Sequence, residues 1–359
     1  MNIVYGVSGE GLGHVFEAIE IATLLREDGH AVKILTFGDR ACGSLEAFRP
    51  TRIEGVHLCF DAGGLSLWRT LRGNFGCFPF YARHGRRLLR ELADFQPDVF
   101  LTAFEPFTTF AAHRLRRPLI SMDNQNELCH MSRPRGADAF AFHLARGVTR
   151  LVTRGAAEYI VKSFDRSPRG GERVHVVAPI IQRGIRRLRP TAGPHVFVYL
   201  TKPNSALIEV LHSLPEAFVV YGQRRAGEDR NIIYRSQGPD YLRDLASCKA
   251  IVGTTGFSLI ADSIYLKKPY FGVPLKGQFE QQHNALFLRN SGLGESAGNP
   301  SREGLERFLG RLPVYRQRLE EYDLDAGEQE ETLRALLAGL GSKATAVPAG
   351  GLTMSSREA

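Results

Sequence analysis

The sequence predicts an α/β protein of two doubly wound domains that face a shared cleft. Three observations carry that prediction. The chain opens with a βαβ unit, and a second strand–glycine–helix junction occurs at residues 250–262. Between them, Arg183 to Gly193 is rich in arginine, proline and glycine and separates two series of short apolar runs.

Asn2 to Val7 reads as a buried first strand, and Ser8-Gly9-Glu10-Gly11-Leu12-Gly13-His14 as a glycine-rich turn. Ala18, Ile19, Ala22 and Leu25 give the stripe of a helix that Asp28-Gly29 closes, and residues 31–37 give the second strand. The glycine loop is GxGxG followed by histidine, not GxGxxG. No acidic residue ends the second strand at the distance a dinucleotide ribose needs, so a nicotinamide enzyme is disfavoured.

Further strands are expected at 56–60, 98–103, 119–122, 159–164 and 174–178, with helical material between most of them. A second series follows at 195–201, 217–221, 231–235, 250–253 and 269–273, and the chain from Leu305 onward is helical and heavily charged. The expected division is a first domain over 1–185, a linker over 186–194 and a second domain with C-terminal helices over 195–341. Residues 342–359, rich in Ala, Gly, Pro and Ser, read as a flexible tail. In such open sheets ligands bind beyond the carboxyl ends of the strands.

Composition bounds the function. The chain has 359 residues, enough for two cores, with 43% hydrophobic and 23% charged residues, as in an ordinary soluble globular protein. No apolar run reaches the length of a membrane span, and the N-terminus enters a strand rather than a signal peptide. Five cysteines without a CxxC pair point to reduced thiols in the cytosol, with no disulfide frame and no zinc site. The histidines lack HExxH spacing. A net charge of +8 opens a nucleic-acid or membrane-surface reading, against an arginine-rich solvated face.

The most informative stretch is Gly253-Thr254-Thr255-Gly256-Phe257-Ser258-Leu259-Ile260-Ala261-Asp262, followed by Lys268-Pro269 and Glu280-Gln281-Gln282-His283-Asn284-Ala285. A strand that breaks on glycine into a helix leaves backbone N–H groups at the helix N-terminus, where they favour an anion. Asp262, about one turn into that helix, is placed to accept ribose hydroxyls, and Glu280, Gln281 and Asn284 reach the same crevice. The stretch reads as a pocket for a nucleoside diphosphate.

The whole-chain order resembles the GT-B glycosyltransferases, whose two Rossmann-like domains face a cleft. Within them it is most similar to the branch of the UDP-glucuronosyltransferases and the lipid-linked N-acetylglucosaminyltransferase of peptidoglycan synthesis, with its uncharacterised bacterial and archaeal relatives. The carriers are Gly9 to His14, Phe104-Glu105-Pro106, Ser121 to Gln125, Thr255 to Ser258, Lys268-Pro269, Pro274, Glu280-Gln281 and Asn284-Ala285. They span roughly residues 1–310. The resemblance implies inverting transfer from a UDP-sugar or another nucleotide-sugar, the donor being a co-substrate, with no cofactor and no metal. One departure is Asp262, where this branch usually carries glutamate for the ribose hydroxyls.

Inverting transfer needs a base for the acceptor hydroxyl and a stabiliser for the departing diphosphate. His14, at the start of a helix whose dipole keeps an imidazole neutral, is the candidate base, and the alternative is a histidine that caps the turn. Glu105 and Asp123 follow strands of the same sheet. Either orients His14, serves as the base itself, or is a loop carboxylate capping a helix. Gly11 and Gly13 form the acceptor-side loop. Thr201, Thr255, Gly256, Phe257, Ser258, Asp262, Glu280, Gln281 and Asn284 are the expected donor set, with Asn284 alternatively bracing the loop. Asp323-Leu324-Asp325, the one DxD match, reads as surface.

From Leu67 to Arg90 aromatics interleave with arginines. Three readings are open: an anionic membrane surface, an acidic or aromatic acceptor, or an amphipathic core helix with a basic face. The expected partners are a nucleotide-sugar, a small-molecule, glycan or lipid-linked acceptor, and peripheral anionic membrane, with no nucleic acid. The expected location is the cytoplasm, including the inner face of its membrane. Competing functions are a UDP-sugar 2-epimerase of the same fold and a non-catalytic basic nucleotide- or nucleic-acid-binding protein.

Overall fold

A computed structural model describes the chain except residues 10–11, 56–59, 62–63, 66–68, 70–71, 73, 75–76, 132–138, 166–170, 224, 277 and 346–359. Among the described residues two seven-stranded sheets form the frame. The first contains β1 (Asn2–Val7), β2 (Ala31–Thr36) and β3 (Thr51–Arg52). After a small ribbon, β4 (Phe60–Asp61) with β5 (Gly64–Leu65), it is completed by β6 (Val99–Ala103), β7 (Leu119–Asp123), β8 (Glu158–Lys162) and β9 (Val174–Val177). Its order is β3-β2-β1-β6-β7-β8-β9, and every pair is parallel.

The second sheet contains β10 (His195–Tyr199), β11 (Ala217–Tyr221), β12 (Gly227–Asp229), β13 (Ile232–Tyr234), β14 (Ala250–Gly253), β15 (Tyr270–Gly272) and β16 (Gly294–Ser296). Its order is β12-β13-β11-β10-β14-β15-β16, antiparallel only between β12 and β13. The domains are therefore α/β and Rossmann-like, as the sequence predicts. The short edge strands β3, β12 and β16 escape the sequence reading because two or three residues with little β-branching give no alternation to detect. The strand expected at 56–60 lies, save its last residue, outside the described residues.

Both sheets are buried on both faces, so successive residues feed opposite cores. In β1, Ile3, Tyr5 and Val7 enter one cluster and Val4 the other. In β10, Phe197 and Tyr199 face one side, and Val196 and Val198 the other.

The chain just before the expected linker is pinned on both sides. Residues Arg183–Arg186 form a helical turn, and Ile181 and Ile185 are buried in the second domain's core. On the other side the Arg183 guanidinium donates to both Glu27 carboxylate oxygens, at 2.7 and 2.6 Å.

The last helix, Glu328–Thr345, departs from its expected place in the second domain, because Leu333 and Leu337 are buried in the first domain's core. Arg334 reaches Asp28 at 2.7 and 2.9 Å, and Glu328 accepts the Ala178 N–H at 2.7 Å. The chain thus crosses back and straps the two units together. Leu333, fully buried, tests this strap. Leu333→Ala is expected to cost about 2–5 kcal/mol, read as a lower urea midpoint. A change under about 0.5 kcal/mol would mean the helix is only loosely docked.

Among the described residues no helix is long and apolar enough to cross a membrane. In the helix Cys77–Asp94, Leu88 and Leu92 enter the core while Arg83, Arg86, Arg87 and Arg90 are exposed. This described part of the aromatic–arginine stretch is an amphipathic core helix with a basic outer face. Most of residues 67–76 lie outside the described residues.

Candidate functional site

The carboxyl ends of the two sheets meet. The first edge presents the loop after β1 with His14, the turn after β7 with Asn124 and Gln125, and Lys162 at the end of β8. The second presents Thr201, exposed just beyond β10, the junction after β14, and the helix Phe279–Ser291 after β15. Gln125 Nε2 lies 3.5 Å from Glu280 Oε2, and His283 Nε2 lies 3.4 Å from Glu127 Oε2. Phe164 packs on Phe257 at 4.4 Å and on Phe287 at 4.9 Å between ring centroids.

Gly13 stands against Ser258 of the facing domain. A Cβ there would lie 2.7 Å from Ser258 Oγ, inside van der Waals contact. Gly13→Ala is expected to lower turnover roughly ten- to a hundredfold by prising the cleft open, and Ser258→Ala in the same chain to restore part of it. Absence of any rescue would show that the contact does not limit closure. Gly11 lies outside the described residues.

His14 sits in the first turn of the helix Leu12–Glu27 and is half-buried. Burial lowers its pKa to about 4, helped by the Lys162 charge and opposed by Glu17. The imidazole is therefore neutral at neutral pH, as a base must be. The Gln125 amide nitrogen lies 3.3 Å from His14 Nε2, and since an amide N–H only donates, that ring nitrogen carries the lone pair. Gln125 thus bridges His14 to Glu280 across the cleft. Burial pushes Glu280 up, and hydrogen bonds from Asn124 and Gln125 hold part of that shift back.

Neither carboxylate expected to pair with His14 is free to do so. Glu105 is fully buried and caps the helix Pro106–Leu115, accepting from Phe107 N at 2.8 Å, Thr108 N at 2.6 Å and Thr108 Oγ1 at 2.5 Å. Asp123 is equally buried and accepts from Ser121 Oγ at 2.7 Å, Asn126 N at 2.7 Å and the Asn126 amide at 2.9 Å. Burial raises both carboxyls above the usual range, and these hydrogen bonds oppose the rise. Glu105 thus caps its helix, and Asp123 holds the turn that leads into the helix Glu127–His130, whose N-cap is Asn126.

On the other wall, Gly256 is the N-cap of the helix Phe257–Tyr265, with no side-chain capping bond, and Ser258 in its first turn lies against Gly13. Three of the expected donor residues have their side chains engaged with the backbone of neighbouring segments. Thr255 Oγ1 donates to Gln281 O at 2.7 Å, Asn284 Nδ2 donates to Thr255 O at 3.0 Å, and Gln281 Oε1 accepts from Leu275 N at 3.0 Å. They clamp the junction to the following helix, which is the bracing alternative for Asn284 extended to its neighbours.

Asp262 is different. It is 7% exposed, its carboxyl group has no hydrogen-bond partner among the described residues, and it lines a pocket between the domains with Gly13, Lys162, Phe257 and Ser258. Burial alone raises its pKa to about 7. An unpartnered buried carboxylate is costly unless a ligand supplies donors.

Sequence reasoning assigned no role to Lys162. Its one visible signal is a lysine ending an apolar strand at the carboxyl edge. Lys162 pairs with Glu17, which also accepts from Gln329 Nε2 at 2.7 Å. Asp323 and Asp325 are exposed on the surface. Among the described residues no three His, Cys, Asp or Glu side chains come together as a metal site.

Comparison with known proteins agrees with this architecture. The sequence model described as glycosyl transferase family 1 matches residues 1–313. An uncharacterized glycosyltransferase of Methanosarcina acetivorans is 22% identical over 381 aligned positions, covering 96% of this chain and all of that one. Among solved structures, the glycotransferase of kitacinnamycin superposes with a TM-score of 0.67 at 16% identity, over 94% of this chain and 98% of that one. The glycosyltransferase VinC, solved in complex with dTDP, superposes with a TM-score of 0.63 at 14% identity, over 95% of this chain and all of that one. These structures share the two-domain GT-B fold.

Proposed function

The chain belongs to glycosyl transferase family 1, and from that premise we propose that it moves a sugar from a nucleoside-diphosphate donor in the interdomain cleft to an acceptor hydroxyl, with inversion and without a metal. Family membership makes it a glycosyltransferase rather than the epimerase or the non-catalytic binder that composition also allowed. The observation that carries the finer reading is the neutral His14, tied through Gln125 to Glu280 of the facing domain.

In this reading His14 Nε2 takes the acceptor proton as the acceptor oxygen attacks the anomeric carbon. The bond from that carbon to the diphosphate oxygen breaks, and its electron pair leaves on the diphosphate. Displacement on the face opposite the leaving group inverts the anomeric centre. The N-terminus of Phe257–Tyr265 receives the developing negative charge. Asp262 accepts the ribose hydroxyls, and Glu280 meets the donor sugar. Thr255, Gln281 and Asn284 hold the loop. The dTDP complex of VinC supports a pyrimidine diphosphate, so the donor is a UDP- or dTDP-sugar. The acceptor reaches His14 from the first domain's side.

The test is thermal-shift screening against UDP, dTDP, GDP and ADP with and without EDTA, followed by NMR of the product anomer. Stabilisation by UDP or dTDP that ignores EDTA, with an inverted product, is the expected result. No stabilisation by any of the four at millimolar concentration would sink the donor assignment. Retention of configuration would sink the single displacement.

A further inference from the structure

Lys162 ends β8 at the carboxyl edge of the first sheet and is only 2% exposed, yet it lines the interdomain pocket opposite Ser258 and Asp262. Its ammonium carries three N–H donors. One goes to Glu17, and among the described residues no other acceptor takes the remaining two. Glu17 is held from the other side by Gln329, on the helix that straps the chain's end to the first domain. Lys162 is thus fixed in place but not satisfied. A buried ammonium with open donors is expensive in an empty site and strongly attractive to an anion.

The charge inventory of that pocket points the same way. Of the described residues that line it, Lys162 is the one cation, and Glu17 and Asp262 are both acidic. A diphosphate entering beside two carboxyl groups would be repelled. The facing helix N-terminus supplies only about half an elementary charge. Lys162 also acts electrostatically on His14, Asp123 and Glu280, as a cation at the centre of the cleft would.

We propose that Lys162, held by Glu17 and Gln329, is the cation that binds the diphosphate of the nucleotide donor. Diphosphate recognition is then divided between the domains, the helix N–H groups coming from the second and the ammonium from the first. This rests on the donor site described under the proposed function. It adds a residue from the first domain to that site.

The test uses the full-length protein and calorimetric titration with dTDP against thymidine and UDP against uridine. The variant is Glu17→Gln with Lys162→Met, which removes both charges and leaves no buried ion unpaired. Should that pair not fold, Glu17→Gln with Lys162→Gln keeps a hydrogen bond across the pair and carries the same expectation. The wild type is expected to prefer the diphosphate to its nucleoside. The variant is expected to lose at least about tenfold in diphosphate affinity while nucleoside affinity stays within about twofold. Equal losses for both, or an unchanged preference, would overturn the role of Lys162 and make the pair purely structural. A wild type with no preference for the diphosphate would overturn the donor-site reading, and this proposal with it.

Discussion

Asp262→Asn will make the protein more stable at pH 8 and a poorer binder of nucleotide. The carboxyl group is buried without a partner, and its pKa rises from 3.8 to about 7. Between those values the unfolded chain has released its proton while the folded chain still holds one. Stability therefore falls as pH rises through that window and levels off above about 7. At 1.4 kcal/mol per unit the full cost is roughly 4 kcal/mol, an upper figure for a group that relaxes or takes up water. Asparagine removes the ionisation. Its melting temperature, set against that of the wild type, should gain at pH 8 relative to pH 4. Equal differences at the two pH values would show that Asp262 ionises as freely folded as unfolded.

The functional half of the prediction runs the other way. An ionised carboxylate accepts two ribose hydroxyls; an amide accepts through one oxygen and turns a donor toward the other. Nucleotide affinity in Asp262→Asn should fall by roughly tenfold or more at pH 8. The residue would then be an example of stability given up for function. Unchanged affinity would leave the buried charge without a purpose.

The fold was legible because its signals are local. Ile3, Tyr5 and Val7 alternate with Val4 and Gly6 along one strand, and glycine-broken strand ends recur where helices begin. Residues that act through distant neighbours were not legible. Gln125 meets His14 across 111 positions, and Glu17 meets Gln329 across 312. Glu105 and Asp123 show a second limit. A carboxylate just beyond a strand is the pattern of a catalytic base, a helix cap and a turn acceptor alike, and only the positions of Phe107 N and Thr108 N decide for the cap at Glu105, and that of Asn126 N for the turn at Asp123. The last helix has an apolar stripe that any reader would find. Which core it enters depends on the path of the chain, since Leu333 and Leu337 would fit either domain by composition alone.

With Glu105 and Asp123 both taken up by backbone N–H groups, the catalytic reading rests on His14, which makes His14→Ala the sharper test. Removing a general base is expected to lower kcat by about two to four orders of magnitude. Nucleotide affinity should stay near the wild-type value, because Asp262 and the helix N-terminus lie on the other wall. The pH profile separates a base from a turn cap. The active form of a base is unprotonated, so activity is lost as pH falls through its pKa. Burial places that loss for His14 near pH 4, well below the 6.5 of a solvated imidazole. At saturating donor, the wild type should therefore hold its kcat from neutral pH down toward 5. His14→Ala should show a low rate without that acid limb. A variant with full kcat and a lowered melting temperature would make His14 a cap. Gln125→Leu then tells the two roles apart in the intact imidazole. It removes only the amide that holds Nε2 toward the cleft, and should lower kcat while the acid limb stays near pH 4, because burial and not the amide sets it.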